Sequence, residues 1–365
     1  MADHGMSKGA TVLESVGPIA FGPDDVLFVA DNRRAVVVAI DVADPAPPSD
    51  AAPFDLSNLS AKLAAFLGCA PEDVAVRDLA VHPRTHNVYL AVQRGRGDAG
   101  SPVIVRVDHL DAALSEVALD DVAFSEVALD DAPGLDDERV DIQLPTGDEG
   151  EAMEFGGRTF RILRAPIRTS TVTDLAFVDG QLLVAGLSNH EFSSTLRRIP
   201  FPFAGEVGGT SLEIFHVSHG KWETAAPIRT FVPYEGGRSI LASYTCTPLV
   251  HFPLQDLAPG THAKGRTVAE LGAGNQPLDM VSYVEDGEEH LLVCHSRHPL
   301  MKIACRDIDR QSALTEPQEP VGVPWERADL TGIVRLDNWG DDQVLALQND
   351  AGGTQHLRSL KPASL

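Results

Sequence analysis

Basic residues are scarce in this chain of 365 residues, and aromatic residues make up only 6% of it. Lysine and arginine number 29 against 53 aspartates and glutamates, which gives a net charge of −24. Binding along a nucleic-acid backbone needs an electropositive surface, so this composition argues against a nucleic-acid partner. A polybasic membrane anchor is absent. No apolar run is long enough to span a bilayer, so no membrane insertion is expected.

Cysteine is also rare, with Cys69, Cys246, Cys294 and Cys305 as its four occurrences. None belongs to a CxxC pair, so the spacing indicates no disulfide framework. Residues 1–10 lack the apolar segment of a signal peptide. We expect a flexible N-terminus, and either a cytoplasmic protein or the mature form of an exported one. The chain has no nucleophile-elbow motif and no phosphate-binding glycine loop, so no nucleotide or organic cofactor is expected.

The most informative feature of the sequence is a repeated pattern of three short apolar stretches. In its first copy these are residues 19–21, 26–30 and 35–42, separated by Gly-Pro-Asp-Asp and Asp-Asn-Arg-Arg. Such runs between turn residues predict an antiparallel meander. Five further copies follow at steps of 60, 96, 54, 51 and 53 residues, measured between the aligned positions Ala20, Ala80, Ala176, Thr230, Val281 and Val334. Their first stretches are residues 79–81, 175–178, 228–232, 280–284 and 333–336.

Three of these steps suit a four-stranded blade of a β-propeller. We therefore predict an all-β, six-bladed propeller as a single domain over residues 11–361. The sixth copy ends after its third strand, and residues 11–15 are expected to supply the missing strand and close the ring. The alternatives are a seven-bladed ring, with an extra half-blade from residues 140–144 and 158–163, and a β-sandwich or two β-domains.

Two segments depart from the repeat. Apolar residues at helical spacing predict a helix over residues 57–67, crossing from the first blade to the second, with Ser57 or Asn58 as its cap. Residues 108–154 hold 16 carboxylates and one arginine, and the heptapeptide Ser-Glu-Val-Ala-Leu-Asp-Asp occurs in them twice. We expect this acidic stretch to be a solvated, partly mobile insertion between blades two and three.

The run Gly17-Pro-Ile-Ala-Phe-Gly-Pro-Asp-Asp-Val-Leu-Phe-Val-Ala-Asp31 resembles the first two strands of a blade in the NHL and gluconolactonase-like group. Asp78-Leu-Ala-Val and Asp174-Leu-Ala-Phe are similar to the same step. The resemblance implies a six-bladed propeller. The group includes calcium-dependent lactonases and esterases, a lyase, strictosidine-synthase-like enzymes and interaction modules. Its lactonases place a calcium-binding glutamate before Gly-Pro, where this chain has Val16.

A propeller brings two sets of loops to one face around an axial funnel. Asp78, Asp174 and Asp279 enter inner strands, and oxygen ligands from several blades suit calcium. A bound cation would polarise a carbonyl group or lower the pKa of water. The alternative is that these aspartates bond backbone N–H groups between blades. The loops after second strands supply the candidate catalytic residues His190, Cys246 and His295, and the candidate substrate-binding residues Asn32, Arg94, Asn189, Arg297 and Asn349.

Two pairs of closely spaced histidines offer nitrogen donors to a transition metal. Cys294, His295 and His298 are the donor types that zinc or copper prefers, although Cys294 ends a predicted buried strand and is expected to pack as an apolar residue. His216 and His219 lie three apart on a predicted strand, where they would point to opposite faces. That spacing by itself builds no metal site.

These residues favour an enzyme that acts on a small molecule in the axial funnel. The reaction expected is a calcium-assisted hydrolysis of the lactonase or esterase kind. The alternative is a non-catalytic propeller that binds a protein or peptide on the same face. The mixture of Asp, His, Asn, Arg and Cys on this face favours the enzyme, since interaction surfaces are richer in aromatic residues.

Overall fold

The computed structural model describes residues 4–97, 100–145, 149–155, 157–205, 207–272, 274–317, 321–340 and 342–365. Its two α-helices are short, α1 (Leu59–Leu67) and α2 (Cys305–Arg310), and no helix in these residues is both long and apolar enough to cross a bilayer. The strands up to residue 166 are β1 (Ser7–Gly9), β2 (Ile19–Phe21), β3 (Val26–Asp31), β4 (Val36–Asp41), β5 (Asp55–Leu56), β6 (Val74–Val81), β7 (Val88–Arg94), β8 (Ser101–Val107), β9 (Leu114–Glu116), β10 (Val122–Ala128), β11 (Val140–Gln143), β12 (Glu151–Phe155) and β13 (Arg158–Pro166).

The later strands begin with the third copy of the repeat. They are β14 (Asp174–Val178), β15 (Gln181–Leu187), β16 (Ser194–Pro200), β17 (Gly209–His216), β18 (Lys221–Glu223), β19 (Ile228–Tyr234), β20 (Ser239–Tyr244), β21 (Pro248–Pro253), β22 (His262–Lys264), β23 (Arg266–Glu270), β24 (Pro277–Glu285), β25 (Glu288–His295), β26 (Met301–Ala304), β27 (Val321–Gly322), β28 (Glu326–Arg327), β29 (Ile333–Asn338), β30 (Val344–Asn349) and β31 (Gln355–Leu360). The three apolar stretches of the first copy, and the first stretch of each later copy, all overlap one of these strands.

Six of the sheets share one plan, in which three consecutive antiparallel strands carry a further strand at the outer edge. We call them blades 1 to 6 in the order of their first strands, which are β2, β6, β14, β19, β24 and β29. These first strands contact one another in a closed cycle that runs β2, β6, β29, β24, β19, β14 and back to β2. Radial sheets around a closed cycle form a β-propeller, so the predicted fold class is confirmed.

The hydrophobic core lies between adjacent blades. The second strand of a blade is covered on both faces, which explains why every residue of β3 and β20 is buried. One apolar cluster joins blades 1 and 2 through Leu27 and Tyr89, and another joins blades 2 and 6 through Leu90 and Leu345. Blade 2 is therefore located between blades 1 and 6, which departs from the order of the blades along the chain.

The prediction that residues 11–15 close the last blade is wrong. The outer strand of blade 6 is β5, which pairs with β31. β1 instead pairs with β10 in blade 1, so part of the predicted flexible N-terminus is a strand; residues 1–3 lie outside the described part of the chain. Because blade 2 lies between blades 1 and 6, the connection from blade 1 to blade 2 passes the outer edge of blade 6. That connection supplies β5 and then forms α1, as predicted for the crossing helix.

The acidic stretch 108–154 is more than an insertion. β9 is the outer strand of blade 2, and β10 is the fourth strand of blade 1. The two copies of the acidic heptapeptide overlap these two strands. Outer strands keep one face in solvent, and each of these two strands exposes one carboxylate there, Glu116 in β9 and Glu126 in β10. Residues 146–148 of the stretch lie outside the described residues.

β11, β13 and β12 form a separate three-stranded sheet, which we call the cap sheet. It contains the segments that a seven-bladed ring would have used, but the cycle of first strands closes without it. Hydrogen bonds attach the cap sheet to the ring. The Leu144 N–H donates to Gln276 Oε1 at 2.7 Å, and Arg229 Nη2 donates to Ile142 O at 3.0 Å.

Candidate functional site in the axial chamber

A cavity of about 670 Å³ lies between the ring and the cap sheet, and we call it the axial chamber. Each of the six first strands, or the residues directly before it, contributes to the wall, and the cap sheet adds Gln143, Ala165 and Pro166. The cavity is therefore on the propeller axis, where the sequence predicted a site. Its charged lining residues are Glu14, Arg33, Arg77, Asp78, Arg168, Asp174, Arg229, Asp279 and Arg335.

The three aspartates that were predicted as calcium ligands bond the backbone of the neighbouring blade, as the alternative interpretation proposed. Asp337 makes a fourth bond of the same kind. The bonds, from donor to acceptor, are Ile19 N to Asp78 Oδ2 at 2.8 Å, Phe231 N to Asp174 Oδ2 at 2.8 Å, Leu336 N to Asp279 Oδ2 at 2.9 Å and Val81 N to Asp337 Oδ2 at 2.6 Å.

Burial raises the pKa of each of these carboxyl groups. Burial, and then the charge of Asp78, raise the pKa of Asp174 to about 7, and burial raises the pKa of Asp337 to about 7. The same two causes raise the pKa of Asp279 well above its usual range. Burial also raises the pKa of Asp78, against the opposing charge of Arg335. At neutral pH the chamber therefore carries less negative charge than its composition suggests.

The three aspartates do not form a close group of ligand atoms. Among the described residues, the only set of three or more His, Cys, Asp or Glu ligand atoms within 4.8 Å of one another is His216, His219 and Cys246. Calcium at Asp78, Asp174 and Asp279 stays a prediction.

Arginines supply positive charge to the chamber. Arg168 donates hydrogen bonds to three main-chain carbonyl groups, which position its guanidinium without neutralising it. Arg335 donates to the carbonyl of Arg77 at 2.6 Å and lies 3.4 Å from Asp78 Oδ1. Burial and the charge of Arg335 lower the pKa of Arg77. Neighbouring guanidinium groups in a cavity are suited to binding a carboxylate or a phosphate.

Of the predicted substrate-binding residues, Asn32 lines the axial chamber. Its side chain is engaged with the segment before blade 3, since Nδ2 donates to Thr169 O and Val172 O and Oδ1 accepts from Val172 N. Asn32 therefore holds this segment of the chamber wall in place. The remaining four are absent from the described wall of the chamber; they are Arg94, Asn189, Arg297 and Asn349.

The three predicted catalytic residues are not brought together as one group. His190 is exposed. His295 is buried, neither of its ring nitrogens has a hydrogen-bond partner in the described structure, and burial lowers its pKa to about 3. Neither histidine joins the ligand-atom group of Cys246. Cys294 packs in an apolar cluster, as expected from its strand, and the rings of His295 and His298 are 6.5 Å apart.

Cys246 belongs to a site that the sequence did not predict, which we call the thiol–imidazole site (His216, His219 and Cys246). Cys246 follows β20 in blade 4, whereas His216 ends β17 in blade 3 and His219 lies in the turn after it. Glu223 of β18 accepts hydrogen bonds from Nδ1 of both histidines, at 2.9 Å from His216 and 2.8 Å from His219.

The three residues of the thiol–imidazole site shift one another's pKa values strongly. Burial alone would raise the pKa of the Cys246 thiol, but its interactions with the nearby His216 and His219 imidazoles bring it down to about 6. Burial would lower the pKa of His216, but its interactions with Cys246 and Glu223 raise it to about 11. The interaction with Cys246 and then the bond to Glu223 raise the pKa of His219 to about 9. The thiol is therefore held as a thiolate near neutral pH.

The two histidines converge because β17 ends at His216. The Gly220 N–H bonds His216 O at 2.9 Å, and Gly220 adopts a positive φ of 65°, which favours glycine. The turn folds His219 back, so that the two ring centroids are 3.7 Å apart. Alternation of side chains applies only while a strand continues. The glycine directly after His219 was the signal in the sequence that the strand had ended.

The chain matches no protein-family model and no curated protein. Solved structures with similar overall architecture include a streptogramin B lyase (9% identity, TM-score 0.32, 98% of this chain and 97% of that one). They also include the PQQ-bound aldose sugar dehydrogenase of Streptomyces coelicolor (13%, 0.35, 97% and 96%) and a β-propeller domain from Myceliophteria thermophila (12%, 0.35, 95% and 83%). At these scores the likeness carries no argument about activity, and the propeller assignment rests on the sheet topology.

Proposed function

We propose that this chain is a six-bladed propeller enzyme that hydrolyses a small organic anion, a lactone or ester, in the axial chamber. The observation that supports this is that Arg335 lies beside Asp78, with Arg77 and Asp174 in the wall of the same cavity. A chain with a net charge of −24 repels anions at long range. A cluster of guanidinium groups would therefore be a local site at which a small anion is attracted and bound.

The size and cover of the chamber favour a small molecule over a protein partner. A volume of about 670 Å³ lies within the range of ligand pockets. The cap sheet contributes to the wall, so it covers part of this face of the propeller and leaves less surface for the alternative function, the binding of a protein or peptide.

Asp174 is the residue proposed as the general base. It lines the chamber, and a carboxyl group with a pKa of about 7 exchanges a proton efficiently near neutral pH. In the proposed reaction Asp174 accepts a proton from water as the water oxygen attacks the acyl carbon. The acyl–oxygen bond then breaks, and the proton passes to the leaving oxygen. The products are a carboxylic acid and a hydroxyl group, and the guanidinium groups stabilise the negative charge of the intermediate.

The proposal includes calcium as an assisting ion, and its binding can be tested directly. If calcium binds Asp78, Asp174 and Asp279, it stabilises the folded chain by mass action. A chelator should then lower the melting temperature, and added calcium should restore it. Elemental analysis of the purified protein checks the same point. An unchanged melting curve and no bound calcium would reject the role of calcium. The reaction would then proceed by acid–base catalysis through Asp174 alone.

The experiment for the reaction is acid release in a pH-stat, with a panel of sugar-acid lactones and carboxylate esters, with and without calcium. Arg77→Gln should raise KM or abolish turnover. Arg306→Gln is the matched control, because Arg306 is an exposed arginine in α2 that pairs with Glu288 at the surface. Ligand-induced stabilisation without turnover would favour the non-catalytic alternative. Neither binding nor turnover across the panel would reject the proposal.

A further inference from the structure

A second group of reactive side chains lies outside the wall of the axial chamber, where the outer strand of blade 3 meets blade 4. We propose that His216, His219 and Cys246 bind a zinc ion. This inference is independent of the proposed hydrolysis, because none of the three residues lines the described wall of the chamber.

The spacing of the three donor atoms fits one small cation. They lie within 4.8 Å of one another. In a tetrahedral zinc site with metal–nitrogen distances of about 2.0–2.1 Å and metal–sulfur distances of about 2.3 Å, neighbouring donors are roughly 3.3–3.8 Å apart. A small contraction of the site around an ion satisfies that geometry. Thiolate and imidazole are ligands for zinc and poor ligands for calcium or magnesium, which prefer oxygen.

Glu223 orients both imidazoles for metal binding. Its two oxygens lie 2.9 Å from His216 Nδ1 and 2.8 Å from His219 Nδ1. Each Nδ1 is thereby fixed as the hydrogen-bond donor, so Nε2 is the atom of each ring that would bind the metal, and it would release its proton as the ion binds. A carboxylate behind a metal-binding histidine is the usual outer partner in zinc sites. Because one carboxylate holds both histidines, their rings are already oriented for metal binding before an ion is present.

His216 supplies the second, independent observation. Its residue exposure is 3%, and within the described structure its Nε2 atom has no hydrogen-bond partner. Leaving a buried polar nitrogen without a partner costs roughly 1–3 kcal/mol. A cation bound at Nε2 would satisfy it. Glu270 Oε1 lies 3.5 Å from this nitrogen, close enough to balance the charge of the ion or to orient a bound water molecule.

The backbone holds Cys246 in an unusual conformation that aims its thiol at the histidines. Cys246 and Thr247 both have positive φ, 65° and 63°, which costs roughly 1–3 kcal/mol at each residue that is not glycine. Hydrogen bonds retain this turn, since Cys246 N donates to Asn275 O at 2.8 Å and Leu271 N donates to Thr247 O at 3.1 Å. A turn that needs positive φ but carries cysteine is consistent with a role for the thiol.

One coordination position would face solvent. The side chain of His219 is 38% exposed, whereas that of His216 is 4% exposed. Three protein ligands with an open fourth position is the arrangement of catalytic zinc sites, in contrast to the four protein ligands of structural ones. We therefore infer that the bound zinc keeps a water molecule.

The test uses the full chain, stripped with a chelator and titrated with cobalt(II) as a spectroscopic substitute for zinc. One equivalent should produce thiolate-to-cobalt charge-transfer absorption and the intense visible bands of a tetrahedral ion. Cys246→Ser should abolish the charge-transfer absorption, and His216→Ala should weaken binding more than about 100-fold, since loss of even an outer partner costs 10–100-fold. Glu223→Gln should weaken binding by that smaller factor. Cys69→Ser and His262→Ala are controls that should bind as the original chain does.

A measurement on the unmutated protein guards against variants that fail to fold. Zinc should protect Cys246 from alkylation at neutral pH, as read by peptide mass spectrometry, while leaving the labelling of Cys69 unchanged. Absence of stoichiometric binding would overturn the proposal. So would charge-transfer absorption that persists in Cys246→Ser. Fast alkylation of Cys246 in the presence of zinc would also reject the metal and would identify a free thiolate nucleophile.

Discussion

Arg229 and Asp141 form a buried ion pair, with Arg229 Nη2 2.8 Å from Asp141 Oδ2 and side chains that are 7% and 8% exposed. Arg229 lies near the start of β19 in blade 4, and Asp141 lies in β11 of the cap sheet. The Ser170 hydroxyl also donates to Asp141, at 2.7 Å. The pair is therefore the main electrostatic contact that holds the cap sheet against the ring beside the axial chamber.

Arg229→Ala should lower the free energy of unfolding by about 3–5 kcal/mol, because it leaves the Asp141 carboxylate buried without a cation. The Arg229→Ala, Asp141→Ala double variant should be more stable than the sum of the two single variants predicts. Urea denaturation measures both effects. Hydrogen exchange in residues 140–166 should increase in the single variant. Unchanged exchange there would mean that the cap sheet is held by other contacts.

Asp174→Asn and Asp337→Asn separate the structural role of the axial aspartates from the proposed catalytic one. Both residues accept a backbone N–H from a neighbouring blade, so both substitutions should cost about 1–3 kcal/mol in stability. Asp174 lines the chamber and Asp337 is not part of its described wall. Turnover should therefore be lost in Asp174→Asn and retained in Asp337→Asn. Equal loss in both variants would assign Asp174 a structural role alone.

The raised pKa of Asp337 predicts the sign of a pH effect. The folded chain holds this proton up to about pH 7, whereas the usual value is 3.8. The stabilisation is complete below the unfolded pKa and is lost as the pH rises through the folded pKa. The difference in unfolding free energy between the original chain and Asp337→Asn should therefore decrease from pH 4 to pH 7.

Glu213 is the control of opposite sign for that experiment. Burial would raise its pKa, but hydrogen bonds from His262 and Lys264 lower it below its usual value. The stabilisation from Glu213 is present above the unfolded pKa and is lost as the pH falls. The difference between the original chain and Glu213→Gln should therefore grow as the pH rises from acid. The same trend in both series would contradict the assignment for Asp337.

The strands of the blades could be predicted from the sequence because their information is local. Short apolar runs and the turn residues between them specify each meander, and the first stretches of the six copies overlap β2, β6, β14, β19, β24 and β29. The axial position of Asp78, Asp174 and Asp279 followed from the same repeat. The spatial order of the blades did not, since which blade packs beside blade 1 depends on contacts between distant residues such as Leu27 and Tyr89.

The thiol–imidazole site was missed for a local reason and a distant one. Side chains alternate only within a strand, and His216 is the last residue of β17, so alternation does not extend to His219. The approach of Cys246 from blade 4 depends on how the outer strand of blade 3 packs against its neighbour. The sequence grouped Cys246 with His190 and His295 as candidate catalytic residues, and these two histidines lie in other loops.

The closure of blade 6 provides the last prediction. Leu56 of β5 is 3% exposed and packs with Leu357 and Trp339 in the cluster between blades 2 and 6. Leu56→Ala should lower the free energy of unfolding by about 2–5 kcal/mol, because it removes buried methyl groups and leaves a cavity. Val12→Ala is the control, since Val12 lies in the segment first expected to close the ring but is 68% exposed. Its effect should stay within about 0.5 kcal/mol. Chemical denaturation measures both, and a larger effect for Val12 than for Leu56 would restore closure by the N-terminal segment.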